Sequence, residues 1–260
     1  ALEAGAEDVV PNEDGSIERF LEKPTWGQVF SDTINSGIYV LEPEIFDWIA
    51  PEQSVDFSSD VFPALLDAGK GVFGSVADGY WEDVGTLSAY VRAHKDILDH
   101  RVVVSIPGFE LADGVYVGQG SEVDPDAVLT GPCVIGDNCF IDANVSLGEY
   151  VVLGTGVRMR RDAELERTVV HDNAYIGESV RMRGAVVGRA SDLRRGARCE
   201  EGVVLGDEVF VGENAVLSSD VKVYPFKTVE AGAVLNTSVI WESRGARSLF
   251  GRGGVSGLAN

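Results

Sequence analysis

The sequence predicts two differently built parts: a mixed α/β region over roughly the first hundred residues, then an all-β parallel β-helix of about seven coils. Three observations carry this. From Val117, aliphatic residues recur at every sixth position, at Val123, Leu129, Ile135, Ile141, Leu147, Leu153, Met159 and Leu165. Four places after each stands a small or β-branched residue or a cysteine: Ser121, Ala127, Cys133, Cys139, Val145, Val151, Val157, Ala163 and Val169. The charge is also uneven, with 20 acids and 5 bases in residues 1–100 against 22 acids and 16 bases in residues 101–260.

A unit of short strand plus tight turn, repeated three times per coil, turns the aliphatic inward and uses the small residue to close the corner. An ordinary sandwich of alternating strands does not hold a period of six over such a length. The phase slips by one residue to Val170, Ile176 and Met182. It slips again to Val187, Leu193, Cys199, Leu205, Val211, Leu217, Val223, Val229 and Leu235, which makes 21 units. The two slips are expected to be loops or bulges on one face. Cys133, Cys139 and Cys199 occupy interior repeat positions, so packing accounts for them.

The first hundred residues read differently. "SIERFLEKP" reads as a strand running into a turn at Pro24, "INSGIYVLEP" as a second strand closed by Pro43, and "EPEIFDWIA" as a short helix with acids in its first turn. "SSDVFPALLDAGKGVFGSVA" reads as a capped helix, a Gly-rich turn and another strand. "GTLSAYVRAHKDILDH" places Leu87, Tyr90, Val91, His94, Ile97 and Leu98 on one helical stripe, with Thr86 at the N-cap position. The expected division is 1–100, a linker over 101–114, the β-helix over 115–240, and a Gly-, Ser- and Arg-rich tail or linker over 241–260.

The totals exclude some partners. A net charge of −21 is opposite in sign to what displacing counterions from nucleic-acid phosphates requires. No apolar run approaches the roughly 20 residues that span a bilayer. Three cysteines without metal-ligand spacing fit a reducing cytoplasm.

Three stretches carry potential chemistry. Glu22-Lys23-Pro24 offers a hydroxyl acceptor and a compact cation for phosphate on a turn stiffened by proline. Asn35-Ser36-Gly37 offers an amide that both donates and accepts, beside a glycine that lets a ligand approach. Trp81-Glu82-Asp83-Val84-Gly85-Thr86 sets hard oxygen ligands before a helix, which suits Mg²⁺ shared with phosphates.

The order "FLEKP", "NSGIYVL", "YWEDVGT" and then six-residue repeats resembles the sugar-phosphate nucleotidyltransferase family, and within it the mannose-1-phosphate guanylyltransferases, from about Gly15 to about Arg247. The resemblance implies a Rossmann-like α/β catalytic part and a left-handed β-helix. It further implies that Glu22 and Lys23 reach the sugar hydroxyls and the sugar phosphate, that Asn35 contacts a hydroxyl with Gly37 lining the pocket, and that Asp83 is a metal ligand, with Lys23 and Asp83 catalytic in one working cleft. The substrates so implied are a sugar-1-phosphate and a nucleoside triphosphate, GTP favoured, with Mg²⁺ as cofactor and a homo-oligomer assembled through the β-helix.

The family's Gly-rich phosphate loop and its first metal-binding Asp have no counterpart before residue 16, and the chain lacks an initiator Met. The expectation is a piece of a longer protein that carries the sugar-binding half, lacks the nucleotide-binding half and is inactive alone; in some relatives a phosphohexomutase domain follows. Two other readings remain open: a repeat acyltransferase, or a bifunctional uridylyltransferase and acetyltransferase, using His171 as base, and a non-catalytic regulatory subunit of the same family.

Overall fold

The computed structural model describes residues 8–21, 35–112 and 114–240, together with Arg244, Gly245, Phe250, Gly251, Gly254 and Val255. The chain divides after Trp81 into two compact units. The six-residue period dictates the second unit, and aromatic and turn residues dictate the first.

In the first unit, β1 (Asp8–Pro11) pairs antiparallel with β2 (Ile17–Leu21). The turn between them is fixed by Asp14, whose carboxylate accepts from the Ser16 amide at 2.9 Å and from its hydroxyl at 2.6 Å. Those bonds hold the Asp14 carboxyl below its ordinary value. The Ile17 amide donates to Val72 O at 2.8 Å, and Ser16 bridges antiparallel to Phe73. A six-residue 3₁₀ turn follows Pro43 (Pro43–Trp48). Asp56 then caps the next helical stretch by accepting from the Ser58 and Ser59 amides, and the chain enters α1 (Phe62–Asp67). Buried Phe62 meets Tyr39 edge-on, with ring centroids 4.9 Å apart.

The strand expected over "INSGIYVLEP" is not formed in its described part: residues 35–42 run without regular structure, bending at Gly37, and Pro43 opens the 3₁₀ turn. Its backbone has no ladder partner among the described residues, and Ile38 and Val40 stand 80% and 101% exposed. Alternating apolar residues mark a strand only where a neighbouring strand and a core receive them.

The second unit begins at Glu82, so α2 (Leu87–Leu98) belongs with the coils. Its start follows from Thr86, whose hydroxyl accepts from the Ala89 amide at 3.1 Å and satisfies one of the helix's orphan donors. The linker expected over 101–114 contains a strand, Phe109–Ala112, that pairs antiparallel with Val115–Val117 and covers one edge of the first coil.

The solenoid has three parallel sheets of seven rungs each, one rung per coil. The first face runs from Val115–Val117 to Lys222–Val223, the second from Glu122–Val123 to Thr228–Val229, and the third from Val128–Leu129 to Val234–Leu235. Register puts the aliphatics in columns: on the third face Leu129, Leu147, Leu165, Met182, Cys199, Leu217 and Leu235 follow one another. Ile135, Ile141, Leu147, Leu153 and Met159 are buried to 1% exposure or less. Arg244–Gly245, in the expected tail, adds a parallel rung to the second face, and Phe250–Gly251 pairs antiparallel with Gly254–Val255.

The two slips are neither loops nor bulges. Rungs that pair 18 residues apart in the other coils pair 17 apart on all three faces across these two turns of the solenoid, as at Val152↔Val169, Glu164↔Arg181 and Arg181↔Arg198, because one corner residue is missing each time. Arg167 (φ 47) and Gly184 (φ 57) make those corners as single left-handed residues. At Gly184 the left-handed φ favours glycine, although the atom nearest a Cβ there is Glu201 Oε1, the movable end of a side chain, and Arg167 makes the equivalent corner without one. Thr168, not Val169, therefore takes the small corner place; its hydroxyl donates to Glu166 O at 2.8 Å, and Val169 lies in the strand. Shortening the corner also extends the strands Glu164–Glu166 and Arg181–Arg183 to three residues.

All three cysteines are free and buried, as interior positions require. Burial pushes the Cys133 thiol up to about 11 and the Cys199 thiol up to about 12, so neither is a nucleophile.

Backbone amides from about 133 to 235 should exchange slowest in native-state hydrogen exchange, and those of 35–81 much faster, because the coils stack a continuous column of buried aliphatics under laddered amides while the described first unit buries only Ile17, Ile45, Val61 and Phe62 among its large apolar residues. Uniform protection along the chain would refute this difference.

Candidate functional site

The candidate site is built from short segments that larger elements hold in place. In the first unit, the Asn35 side chain accepts from the Gly37 amide at 3.1 Å and donates to the Tyr39 hydroxyl. Tyr39 in turn rests on Phe62 and, at 6.2 Å, on Phe57. The asparagine is therefore oriented by a small aromatic cluster that α1 anchors. Gly37 adopts φ 75, a conformation other residues resist, and nothing lies within 4 Å of where a Cβ would be. An amide held in place beside open space suits a hydroxyl-bearing ligand.

In the second unit, Glu82 pairs with Arg92 of α2. That pair commits the first acid of "WEDVGT" to the helix. Asp83, next along, is exposed and has no ion pair among the described residues. Thr86 is used as the helix cap. Of this stretch, Asp83 is the carboxylate left for a ligand.

Of the expected site residues, Asn35 and Gly37 are thus brought together by a direct hydrogen bond in the first unit, and Asp83 belongs to the second. Glu22 and Lys23 lie outside the described residues. Among the described residues no group of three or more His, Cys, Asp or Glu gathers to hold a metal. Asp83 by itself matches the way Mg²⁺ binds through one or two carboxylates plus substrate phosphates.

Sequence reasoning missed the residues that hold α2 on the solenoid. The Tyr90 ring stacks on His171 at 6.0 Å and 11°, and its hydroxyl lies 3.1 Å from His171 Nε2. Burial raises the Tyr90 hydroxyl above its ordinary value. One helical turn on, the Tyr150 hydroxyl donates to Asp99 Oδ1 at 2.9 Å and accepts from Lys95 Nζ at 3.1 Å, while Lys95 also donates to Asp99 Oδ2 at 2.5 Å. Hydrogen bonding to Asp99 holds the Lys95 ammonium above its usual range, and the same bond holds Asp99 below its own. A signal did exist: Tyr150 stands at a left-handed corner (φ 59) where later coils use Gly184, Gly202 and Asp220. His171, the only histidine inside the repeat, is thereby engaged by Tyr90.

Comparison with known proteins follows the same two-part division. Residues 8–100 match the family described as Nucleotidyl transferase, and residues 129–240 match the family described as GMPPB C-terminal domain. The first part of the chain is thus similar to nucleotidyl transferases and the coils to a GMPPB C-terminal domain. A mannose-1-phosphate guanyltransferase of Schizosaccharomyces pombe is 31% identical over 234 residues, covering 88% of this chain and 58% of that protein. A UTP–glucose-1-phosphate uridylyltransferase of Synechocystis sp. is 31% identical over 176 residues, covering 67% of this chain and 45% of that protein. The chain thus spans about half the length of these curated relatives. Among solved structures, a UDP-N-acetylglucosamine acyltransferase from Campylobacter jejuni is 19% identical with a TM-score of 0.47, covering 50% of this chain and 58% of that one. Among the described residues no helix is long and apolar enough to cross a membrane.

Replacing Tyr150 with Phe removes both hydroxyl contacts to α2, each worth about 1 kcal/mol. Amide exchange in α2 should then quicken by up to roughly thirtyfold while the coils keep their protection; unchanged exchange in α2 would mean that Tyr150 does not hold it.

Proposed function

We propose that the chain forms the sugar-binding part and the solenoid of a sugar-1-phosphate nucleotidyltransferase that joins mannose-1-phosphate and GTP to give GDP-mannose and pyrophosphate. The observation that carries this reading is the order of E-K-P, N-S-G, W-E-D-V-G-T and the repeats in this chain, beside 31% identity along 88% of it to a guanyltransferase relative. The uridylyltransferase relative leaves the base and the hexose as the least constrained part of the reading.

In this reaction a phosphate oxygen of the sugar-1-phosphate attacks the α-phosphorus of the triphosphate. The bond from the α-phosphorus to the bridging oxygen breaks, and pyrophosphate leaves with that electron pair. The protein supplies positioning and charge neutralisation. Lys23 neutralises the attacking sugar phosphate, Glu22 and Asn35 accept and donate to sugar hydroxyls, and Gly37 keeps room for the ring. Asp83, uncommitted beside the Glu82–Arg92 pair, is the ligand for Mg²⁺. When bound, Mg²⁺ supplies charge neutralisation on the phosphates.

The solenoid serves assembly of a homo-oligomer, since flat stacked faces suit subunit contacts. Free buried thiols support placement in the reducing cytoplasm.

Calorimetric titration separates binding from turnover. The 260-residue chain should bind mannose-1-phosphate, with Lys23→Ala weakening it about tenfold or more, the scale of a lost hydrogen bond to a charged group. Asn35→Ala should weaken it less. Pyrophosphate release from mannose-1-phosphate and GTP by the same chain should be slight. No binding, or binding indifferent to Lys23, would overturn the reading.

A further inference from the structure

The third face of the solenoid carries a charge pattern that neither the core nor the sugar site uses. Its outward residues form two rows, coil by coil. In the first row Val128, Ser146, Glu164, Arg181, Arg198 and Val216 are successive ladder partners. Two residues on along the same strands, Glu166 and Arg183 are partners in the second row. Arg181 donates to Glu164 at 3.1 Å and Arg183 to Glu166 at 3.1 Å. These four side chains remain 40–63% exposed. They line an open trough of about 560 Å³ that Ser146, Gly148 and Arg198 extend, with Glu149 and Glu200 at its margin; in the register below Glu200 faces Gly148 of the other copy and meets no like charge. Arg198 is exposed and has no ion pair among the described residues.

Both missing corner residues border this place. Each shortening lengthens the adjoining strand to three residues, and Glu166↔Arg183 is the extra rung that results. The repeat departs from its period where the charges cluster, and nowhere else between Val117 and Leu235.

We infer that this third face is the surface through which two copies of the chain pair, antiparallel, about a two-fold axis that falls between the Glu164 and Arg181 rungs. The charge order selects the arrangement. In that register Glu164 of one copy meets Arg181 of the other and Glu166 meets Arg183, in both rows and on both sides of the axis. Ser146 then faces Arg198, and Val128 faces Val216. Moving by one coil sets Arg181 against itself. Turning the copies parallel sets Glu164 against Glu166 and Arg181 against Arg183, and like charges so juxtaposed are costly.

A C2 contact must be self-complementary, and this register is. Six overlapping coils spaced about 4.8 Å, with faces about 17 Å wide, bury on the order of 1,000 Å² in total, the lower bound for a specific interface. With charges at its centre and valine only at its ends, the contact is weak and sensitive to salt.

This deepens the assembly role proposed for the solenoid and does not depend on catalysis. Sedimentation velocity of the full 260-residue chain tests it, with far-UV circular dichroism confirming that each variant folds. At 50 mM NaCl the chain should be a dimer that dissociates at 500 mM. Arg181→Glu/Arg183→Glu and Glu164→Arg/Glu166→Arg should each be monomeric alone, and an equimolar mixture of the two should dimerise. A wild-type chain that is monomeric at low salt overturns both this face and the assembly reading. Variants that dimerise alone overturn this face and leave assembly by another. Monomeric variants that fail to combine overturn the charge register.

Discussion

Everything described depends on the stacking of one coil on the next. A single coil of three short strands cannot bury its own aliphatics; Ile135 and Leu153 are shielded because the next rung stands directly over each. The cost falls on the corners, where a left-handed residue must turn the chain within one or two positions. Asn, Asp and Gly meet that cost at most corners, as at Asn138, Asn173 and Asn214. Where another residue stands at a corner, a compensating contact can be sought, and Tyr150 supplies one through Asp99 and Lys95.

The same stacking converts a repetitive scaffold into a support for chemistry. Residues from different coils fix α2: Tyr150 belongs to one corner and His171 to the end of a first-face strand. The helix so fixed carries Arg92, which takes Glu82 and leaves Asp83 exposed. A chain of three local choices thus runs from a corner tyrosine to the placement of one carboxylate. In the first unit the corresponding support is aromatic, with Phe62 and Phe57 holding Tyr39 and Tyr39 orienting Asn35.

The coils were legible because period six leaves little freedom: each interior residue must be aliphatic, and its neighbours along the column obey the same rule. The slips were legible as phase changes, but their nature was not, since a five-residue spacing is compatible with a bulge until the corner conformations of Arg167 and Gly184 are known. The apolar alternation around Tyr39 misled, because strand formation is decided by a partner and not by pattern. The Tyr90–His171 and Lys95–Tyr150 contacts join residues 81 and 55 positions apart, and only the coil register brings them together. The N-S-G and W-E-D-V-G-T motifs were legible as chemistry, yet nothing in their spacing revealed that Glu82 is committed to Arg92 while Asp83 is not.

The central claim is that carbohydrate phosphate is held by the E-K-P and N-S-G segments while the coils only support. Titrating mannose-1-phosphate into the ¹⁵N-labelled chain and following every backbone amide resonance tests that most directly. The account predicts saturable shifts at Glu22, Lys23 and Asn35–Gly37, with the amides of residues 115–240 unmoved. Shifts centred on His171 and its neighbouring coils, or none at all, would contradict it.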